Sequence, residues 1–435
     1  MTMTRLLALT TLATILTVSA YTSEPSSFNP FPFSPGFDIQ SVATLAEQLP
    51  SHSWEFGTAS EVLLELYNPS LSVFGDNPFP DYIADYTTIK SLAYAKSKIQ
   101  LNLNDDAGAN VLSNGDGATG DPASLGVSAF LLGKSGDQQY AEGATKTMGY
   151  LVGSAPRWQN GAISQRADVA ELWADFMYMA PPFLAYYAAA TSNTTLLREA
   201  VDQCSHYHDV LSTASSSSPA PTPFNPALTG LWHHIIGPQS TDFGLWSTGN
   251  GWSIGGITRV LATILKAPSS VTQGWKDSAV STLHSILKEM LDAATLHPES
   301  TLDTDYTGPG AGLLRNYLDD TNSSAHGFGE VSGSAHIAGA IYRLAILSPD
   351  LFTPSIHESP YLSFAESIRH LLGTSDLNGN PHVTTQNGTV TPTVDPLCWQ
   401  CAEPFTAGSP EGQSFVVGMY AAWRDCVWAG VCVED

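Results

Sequence analysis

Four short stretches of the chain hold residues that could do acid–base work or grip a polar ligand. The densest is Glu171-Leu172-Trp173-Ala174-Asp175-Phe176-Met177-Tyr178-Met179. Asp175 sits among large apolar residues, where desolvation raises a carboxyl pKa and suits it to general-acid chemistry. The same residue could instead cap the apolar helix that follows. Trp173 and Asp175 are two apart and would not share a face of a regular helix. A pocket that uses both must therefore lie at a loop-to-helix junction. Gly120-Asp121-Pro122-Ala123-Ser124-Leu125-Gly126 offers a second carboxylate. Asp121 is either the partner in a catalytic pair or a cap with Pro122 at the first helical position. Thr229-Gly230-Leu231-Trp232-His233-His234 carries paired histidines. Adjacent side chains rarely converge on one ion and the usual ligand spacing is absent, so hydrogen bonding is favoured over metal. Leu245-Trp246-Ser247-Thr248-Gly249-Asn250-Gly251-Trp252 brackets a Gly-Asn-Gly turn with two tryptophans. Such a turn could present aromatic faces and an amide to a ligand, or the tryptophans could belong to the core.

The elements that must position these groups are mostly helices. Val280, Leu283, Ile286, Leu287, Met290, Leu291 and Ala294 repeat at helical spacing. So do Ile257, Val260, Leu261, Ile264 and Leu265, and again Ile337, Ile341, Leu344 and Ala345. Ile368, Leu371 and Leu372 end at Gly373, a C-cap residue. Phe415, Gly418, Met419, Ala422 and Trp423 form the last such face, and Gln40 to Gln48 and a stretch from Ser60 the first two. Asn102 to Gly120 is nearly all turn chemistry and reads as a loop. A second low-complexity loop covers Ser215 to Pro221. Period-two alternation is scarce, and no linker marks a domain boundary. Many helices of modest length in one domain point to an α/α toroid.

The chain has 435 residues, 17 basic and 41 acidic, for a net charge of −24. Only 13% of residues are charged and 43% are hydrophobic, which excludes a disordered chain. The acidic balance excludes sequence-independent nucleic-acid binding. Five cysteines are too few for a disulfide-built scaffold. Arg5, the apolar run Leu6 to Val18 and Val18-Ser19-Ala20 have the form of a secretory signal peptide over residues 1–20, too short for a membrane span. That leaves 21–435 as a single domain, expected to be extracellular and monomeric. Asn193, Asn322 and Asn387 open glycosylation sequons. An oxidising compartment favours disulfides among Cys398, Cys401, Cys426 and Cys432, with three pairings open and Cys204 left as a buried thiol. Cys398-x-x-Cys401 lacks the second pair a structural zinc site needs.

Taken in order, these segments resemble the unsaturated uronyl hydrolases, the glycoside hydrolases of families 105 and 88, in a secreted fungal branch. The likeness runs from Ser53-Trp54-Glu55-Phe56-Gly57 through Asp121 to Gly126, Leu172 to Asp175 with Tyr178-Met179, and Pro182-Phe183-Leu184. It continues through Gly230 to His234, Trp246 to Trp252 and Ser332-Gly333-Ser334-Ala335, and closes on Gln413-Ser414-Phe415 and Tyr420 to Trp423. The resemblance implies an all-α (α/α)6 barrel, also called a six-hairpin toroid. It implies oligosaccharide substrates that end in a 4,5-unsaturated uronic acid, cleaved by hydration of the enol ether. It further implies Asp175 as proton donor and water activator, Asp121 as the second aspartate, and Trp173 as a stacking platform. His234, Trp246, Thr248, Asn250 and Trp252 would contact substrate, and no metal or organic cofactor is implied. Family members commonly read Trp-x-Arg-Gly-Asn-Gly-Trp at the turn, where this chain has Thr248. Arginine is the natural bidentate partner of a carboxylate. Either another cation, such as Arg157 or Arg166, takes that task or the substrate differs. A strongly acidic protein also repels a polyanion such as pectin at range. An ordinary glycosidase using the Asp175 and Asp121 pair, or a silent sugar-binding protein, would fit the same fold.

Overall fold

Twelve helices of nine residues or more alternate between two environments in the computed structural model, which describes residues 20–25, 27–219, 225–305 and 307–434. They are α1 (Ile39–Gln48), α2 (Ser53–Tyr67), α3 (Lys90–Lys98), α4 (Gly126–Lys134), α5 (Gln138–Gly153) and α6 (Pro181–Ala190). They continue as α7 (Thr194–Leu211), α8 (Ser247–Lys266), α9 (Lys276–Thr295), α10 (Val331–Leu347), α11 (Pro360–Leu372) and α12 (Pro410–Trp428). The even-numbered helices touch in a closed ring, α2 to α12 and back to α2. Each carries an outer partner: α3 on α2, α5 on α4, α7 on α6, α9 on α8, α11 on α10, and α1 on α12. That is the six-hairpin toroid.

Burial follows this division. Inner α8 is buried continuously from Ser247 to Ile264, and inner α10 from Val331 to Ala345. A helix apolar or small all round must be enclosed. Outer α9 buries one stripe, Leu283, Ile286, Leu287, Met290, Leu291 and Ala294, and leaves its other face to water. Charges inside the ring are paired. Arg259 on α8 binds Glu61 at 2.8 Å and also Glu65, both on α2. Arg343 on α10 binds Glu65 at 2.7 Å and Asp425 of α12. One carboxylate, Glu65, thus ties three of the inner helices together. Arg259 also donates to the Tyr178 hydroxyl at 2.9 Å, joining this network to the segment that follows Asp175.

Several elements differ from the sequence reading. The second helix starts at Ser53 rather than Ser60, because the Glu55 carboxylate accepts the backbone N–H groups of Ser51 and His52 and closes its first turn. The sequence reading omits helices α3, α5 and α7. In α5 the buried stripe includes Gly143, Ala144 and Thr147, too small and polar to stand out. The Gly-Asn-Gly segment is no turn: it lies inside α8, which begins at Ser247. The paired cysteines are Cys398–Cys401 and Cys426–Cys432, and Cys204 is buried and free. Residues 1–19 of the segment expected to be a signal peptide, and part of the 215–221 loop, lie outside the described residues. Among the described residues no helix is long and apolar enough to cross a membrane.

Candidate active site

The inner helices all begin on one rim, and the residues just before or inside their first turns line one cleft. Trp54 comes from α2, Asp121 from the segment before α4, Asp175 from the segment before α6, Trp246 from the N-cap of α8 and Glu411 from α12. Arg166, Gln165, Trp173, His234 and Trp399 also line the cleft. The space is about 770 Å3, part of it open to solvent, which is the size of a small-molecule site. The loop read over 102–120 supplies Gly115, Asp116 and Ala118 to one wall.

A two-stranded antiparallel sheet brings the central pair together. Strand β1 (Leu172–Trp173) pairs with β2 (Ile235–Ile236), with Trp173 opposite Ile235. The register puts the Ala174 N–H on the His234 carbonyl at 2.9 Å. Asp175 then opens the short helix Phe176–Met179, but its side chain makes no capping hydrogen bond. Its Oδ2 lies 3.3 Å from Nε2 of His234, at ion-pair distance but not aligned as a hydrogen bond. This segment can lie so close to α8 because Gly256 has no side chain: a Cβ there would stand 1.9 Å from the Met177 carbonyl oxygen.

His234 is fully enclosed and held on both sides. Its Nδ1 bonds Asp242 at 3.0 Å, and the Tyr317 hydroxyl donates to the same carboxylate at 2.5 Å. Burial disfavours its charge, but Asp175 and Asp242 outweigh burial and push the imidazole up to about 9. At neutral pH it is an imidazolium that carries an N–H on both nitrogens, with Nδ1–H on Asp242 and Nε2–H at ion-pair distance from Asp175. Trp173, Trp246 and Trp399 box it, with ring centroids at 5.8, 4.5 and 5.4 Å. Trp173 is itself aimed by Glu171, whose Oε1 accepts the indole N–H at 2.7 Å.

Asp121 does not cap a helix; its Oδ1 accepts from the Gln165 amide at 2.7 Å. Burial pushes this carboxyl up to about 7, with Asp175 adding to the rise and Gln165 and Arg166 opposing it. Asp121 therefore titrates close to neutral pH and holds its proton below it.

Of the two arginines considered for the missing cation, the geometry favours Arg166. Arg157 is committed to Glu199 at 2.8 Å and to the Gly161 carbonyl, outside the cleft. Arg166 lines the cleft, and among the described residues its guanidinium makes a single long hydrogen bond, 3.4 Å to the Asp116 carbonyl. Gly117, at φ +85°, leaves room for it: a Cβ there would stand 2.5 Å from Nη2.

Three residues expected to contact substrate have internal partners instead and do not line the cleft. Thr248 is buried with its hydroxyl 3.3 Å from Glu330. Asn250 is buried between segments: its Oδ1 accepts the Trp232 N–H at 2.8 Å and its amide donates to the Trp232 and Trp246 carbonyls. Trp252 packs in the core against Tyr178, His336 and Phe415. The reason is helical geometry. Once Ser247 starts α8, positions after Trp246 rotate away from the rim, and Asn250 falls one turn below it. Asn250 instead positions the segment that carries His234. His233 points elsewhere, onto the carbonyls of Phe243 and Pro219. Gln165, Trp399, Asp242 and Glu411 were not found from sequence. Only Glu411 carried a local signal, and Ser409-Pro410-Glu411 marks a helix start, not a site.

Among the described residues no group of three or more His, Cys, Asp or Glu side chains could hold a metal ion. Asn193, Asn322 and Asn387 are all exposed.

No curated protein matches the chain. Among solved structures it is similar to a possible family 105 member from Salmonella enterica, at 14% identity and TM-score 0.61, covering 92% of this chain and 96% of that one. A family 105 glycoside hydrolase from C. acetobutylicum is similar at 14% identity and TM-score 0.60, over 89% and 99%. An α-1,6-mannanase from Salegentibacter sp. is similar at 13% identity and TM-score 0.54, over 90% and 100%. At such identities the likeness shows the fold alone. The sequence match is of another kind: the family model for Glycosyl Hydrolase Family 88 fits residues 47–345, more than half of the chain. The chain is therefore a glycoside hydrolase, and it belongs to family 88.

Proposed function

We propose that this glycoside hydrolase releases a 4,5-unsaturated uronic acid from the end of an oligosaccharide by hydrating its enol ether. The observation that carries this reading is the cleft itself, where Asp175 and Asp121 share one wall with a cationic His234 and a lightly engaged Arg166. Asp175 donates a proton to C4, and a water adds at C5, returning its proton to the carboxylate. The C5 hemiketal opens to a ketone, and the hemiacetal left at C1 expels the neighbouring sugar. Asp121 orients the ring through hydrogen bonds, and Trp173 stacks on it. The N-terminal ends of the inner helices surround the cleft and favour a bound anion. This local field offsets the repulsion expected from the −24 overall charge.

The test is a panel of unsaturated digalacturonate, unsaturated rhamnogalacturonan disaccharide and unsaturated glucuronyl disaccharides beside their saturated counterparts. Turnover of at least one unsaturated member, with the saturated ones untouched, is expected. Cleavage of saturated sugars alone would replace this reading with an ordinary glycosidase.

Arg166 is the uronate clamp in this reading. Arg166→Leu should raise KM by about 10- to 100-fold, the worth of a charge-assisted hydrogen bond, with kcat changed far less. An unchanged KM would remove Arg166 from that role. The pH profile carries a second expectation. kcat/KM should fall as pH rises through about 7, where Asp121 loses its proton and adds a charge against the uronate, and fall again through about 9, where His234 loses its charge. A profile flat from pH 6 to 9.5 would contradict both assignments, and Asp121→Asn should abolish the lower step.

Secretion through the segment 1–20, glycans on Asn193, Asn322 and Asn387, a single domain over 21–435 and a monomeric state belong to the same proposal. The exposure of all three asparagines supports the glycans.

A further inference from the structure

Glu411 is a carboxyl that the chemistry above leaves without a task. It stands in the first turn of α12, is 3% exposed and lines the cleft. Its Oε1 accepts the Trp54 indole N–H at 2.9 Å. Its Oε2 is buried and has no hydrogen-bond partner among the described residues. A buried polar oxygen left alone costs free energy, so a group that lines a binding cleft in this state is waiting for a partner.

The charged groups that face it are acids from three directions. Asp175 approaches from the junction before α6, Glu55 from α2 and Glu330 from the N-cap of α10. The cleft's cations are directed elsewhere, His234 to Asp175 and Asp242, and Arg166 toward the wall that holds Asp116. Burial, and after it the Asp175 charge, push the Glu411 carboxyl well above the usual range, against the pull of the Trp54 N–H. A carboxyl in this position keeps its proton and owns an O–H donor. Ionised, it would add a negative charge beside a ligand that is itself an anion.

We propose that Glu411 binds the substrate as a neutral acid, donating the O–H of its free oxygen to an oxygen of the bound uronide; this rests on the uronide reading above. The cleft thereby gains a donor to an anionic sugar without a further charge. Glu411 and Arg166 would grip the same residue of the substrate from different walls.

The test compares Glu411→Gln with Glu411→Ala on the unsaturated disaccharide that the wild type turns over best. Glutamine keeps the shape, stays neutral and offers an N–H in the same place. Its KM should stay within about threefold of wild type near pH 6.5, while alanine should raise KM about tenfold or more with little change in kcat. Toward alkaline pH the wild-type KM should rise relative to that of Glu411→Gln, because only glutamate can ionise. A glutamine variant as impaired as alanine would make Glu411 an ionised acceptor and overturn the proposal, as would an alanine variant with unchanged KM. An infrared difference spectrum of wild type against Glu411→Gln at neutral pH reads the protonated carboxyl without turnover, and its absence overturns the proposal whatever the activity. A wild type inactive on every uronide, with that band present, would instead sink the substrate reading and take this assignment down with it.

Discussion

Asp175→Asn should lower kcat/KM by about 10^3-fold or more while leaving the fold in place. The loss is at the upper end of what a positioned acid–base group contributes, because the same carboxyl is asked to protonate C4 and to take the proton of the attacking water. The fold survives because Asp175 holds nothing together. Its side chain makes no capping bond, and its ion-pair contact is with His234, which keeps Asp242 as a second partner. Circular dichroism and Tm should match wild type within a few degrees. The asparagine variant should still bind a uronate, since Arg166 is untouched. A variant within tenfold of wild type would take Asp175 out of the proton path. In that event Asp121, which holds a proton near neutrality, would be the first candidate to replace it.

The largest effect on stability should come from Glu65→Gln. Glu65 is 3% exposed and shared by Arg259 and Arg343, so its loss leaves two enclosed guanidinium groups with one carboxylate fewer between them. Removing one partner from a buried ion pair costs about 3–5 kcal/mol, mostly as the penalty of uncompensated charge. Chemical denaturation should show a drop of that order, with an unchanged m-value. A loss under about 1 kcal/mol would show that water or a side-chain shift relieves the arginines. The effect should reach the site as well. Arg259 also holds the Tyr178 hydroxyl, three residues beyond Asp175, so kcat should fall in Arg259→Met even where the protein remains folded.

How much of this was legible in the sequence can be argued residue by residue. The inner helices α8 and α10 announced themselves through faces of Ile, Leu and Val, and α12 through Phe415, Met419, Ala422 and Trp423, each at helical spacing. The outer helix α5 did not, because its buried stripe includes Gly143, Ala144 and Thr147, whereas α7 carries Leu196, Leu197, Val201, Tyr207, Val210 and Leu211 at helical spacing and was legible but not read. Asp121, Trp173, Asp175 and His234 were picked out as chemistry-bearing residues, and the fold gathers all four at one cleft. Trp246 lines it too, although only 2% exposed. Thr248, Asn250 and Trp252 were misplaced because glycine has two readings. Gly249 and Gly251 look like a turn, yet in α8 they permit close packing, with Trp246 and His336 respectively against the bare backbone. Thr248 faces Glu330 and offers no positive charge, while Arg166 comes from a different loop altogether. Such a replacement is invisible to linear spacing. Glu411 and Trp399 share that property: each reaches the cleft through tertiary closure of the ring, from the C-terminal end of the chain onto walls built near its start.

The central claim is that the enol ether is hydrated at a uronide end, and the reaction in heavy water tests it most directly. An unsaturated uronyl disaccharide would be incubated with the enzyme in D2O, following the ultraviolet absorbance of the double bond and the mass of the released sugar acid. The account predicts that absorbance is lost in step with release of the neighbouring sugar, and that the product carries deuterium at C4, delivered through Asp175. Release of the neighbouring sugar with the double bond intact and no deuterium at C4 would contradict it, and would mark direct displacement at the anomeric carbon instead.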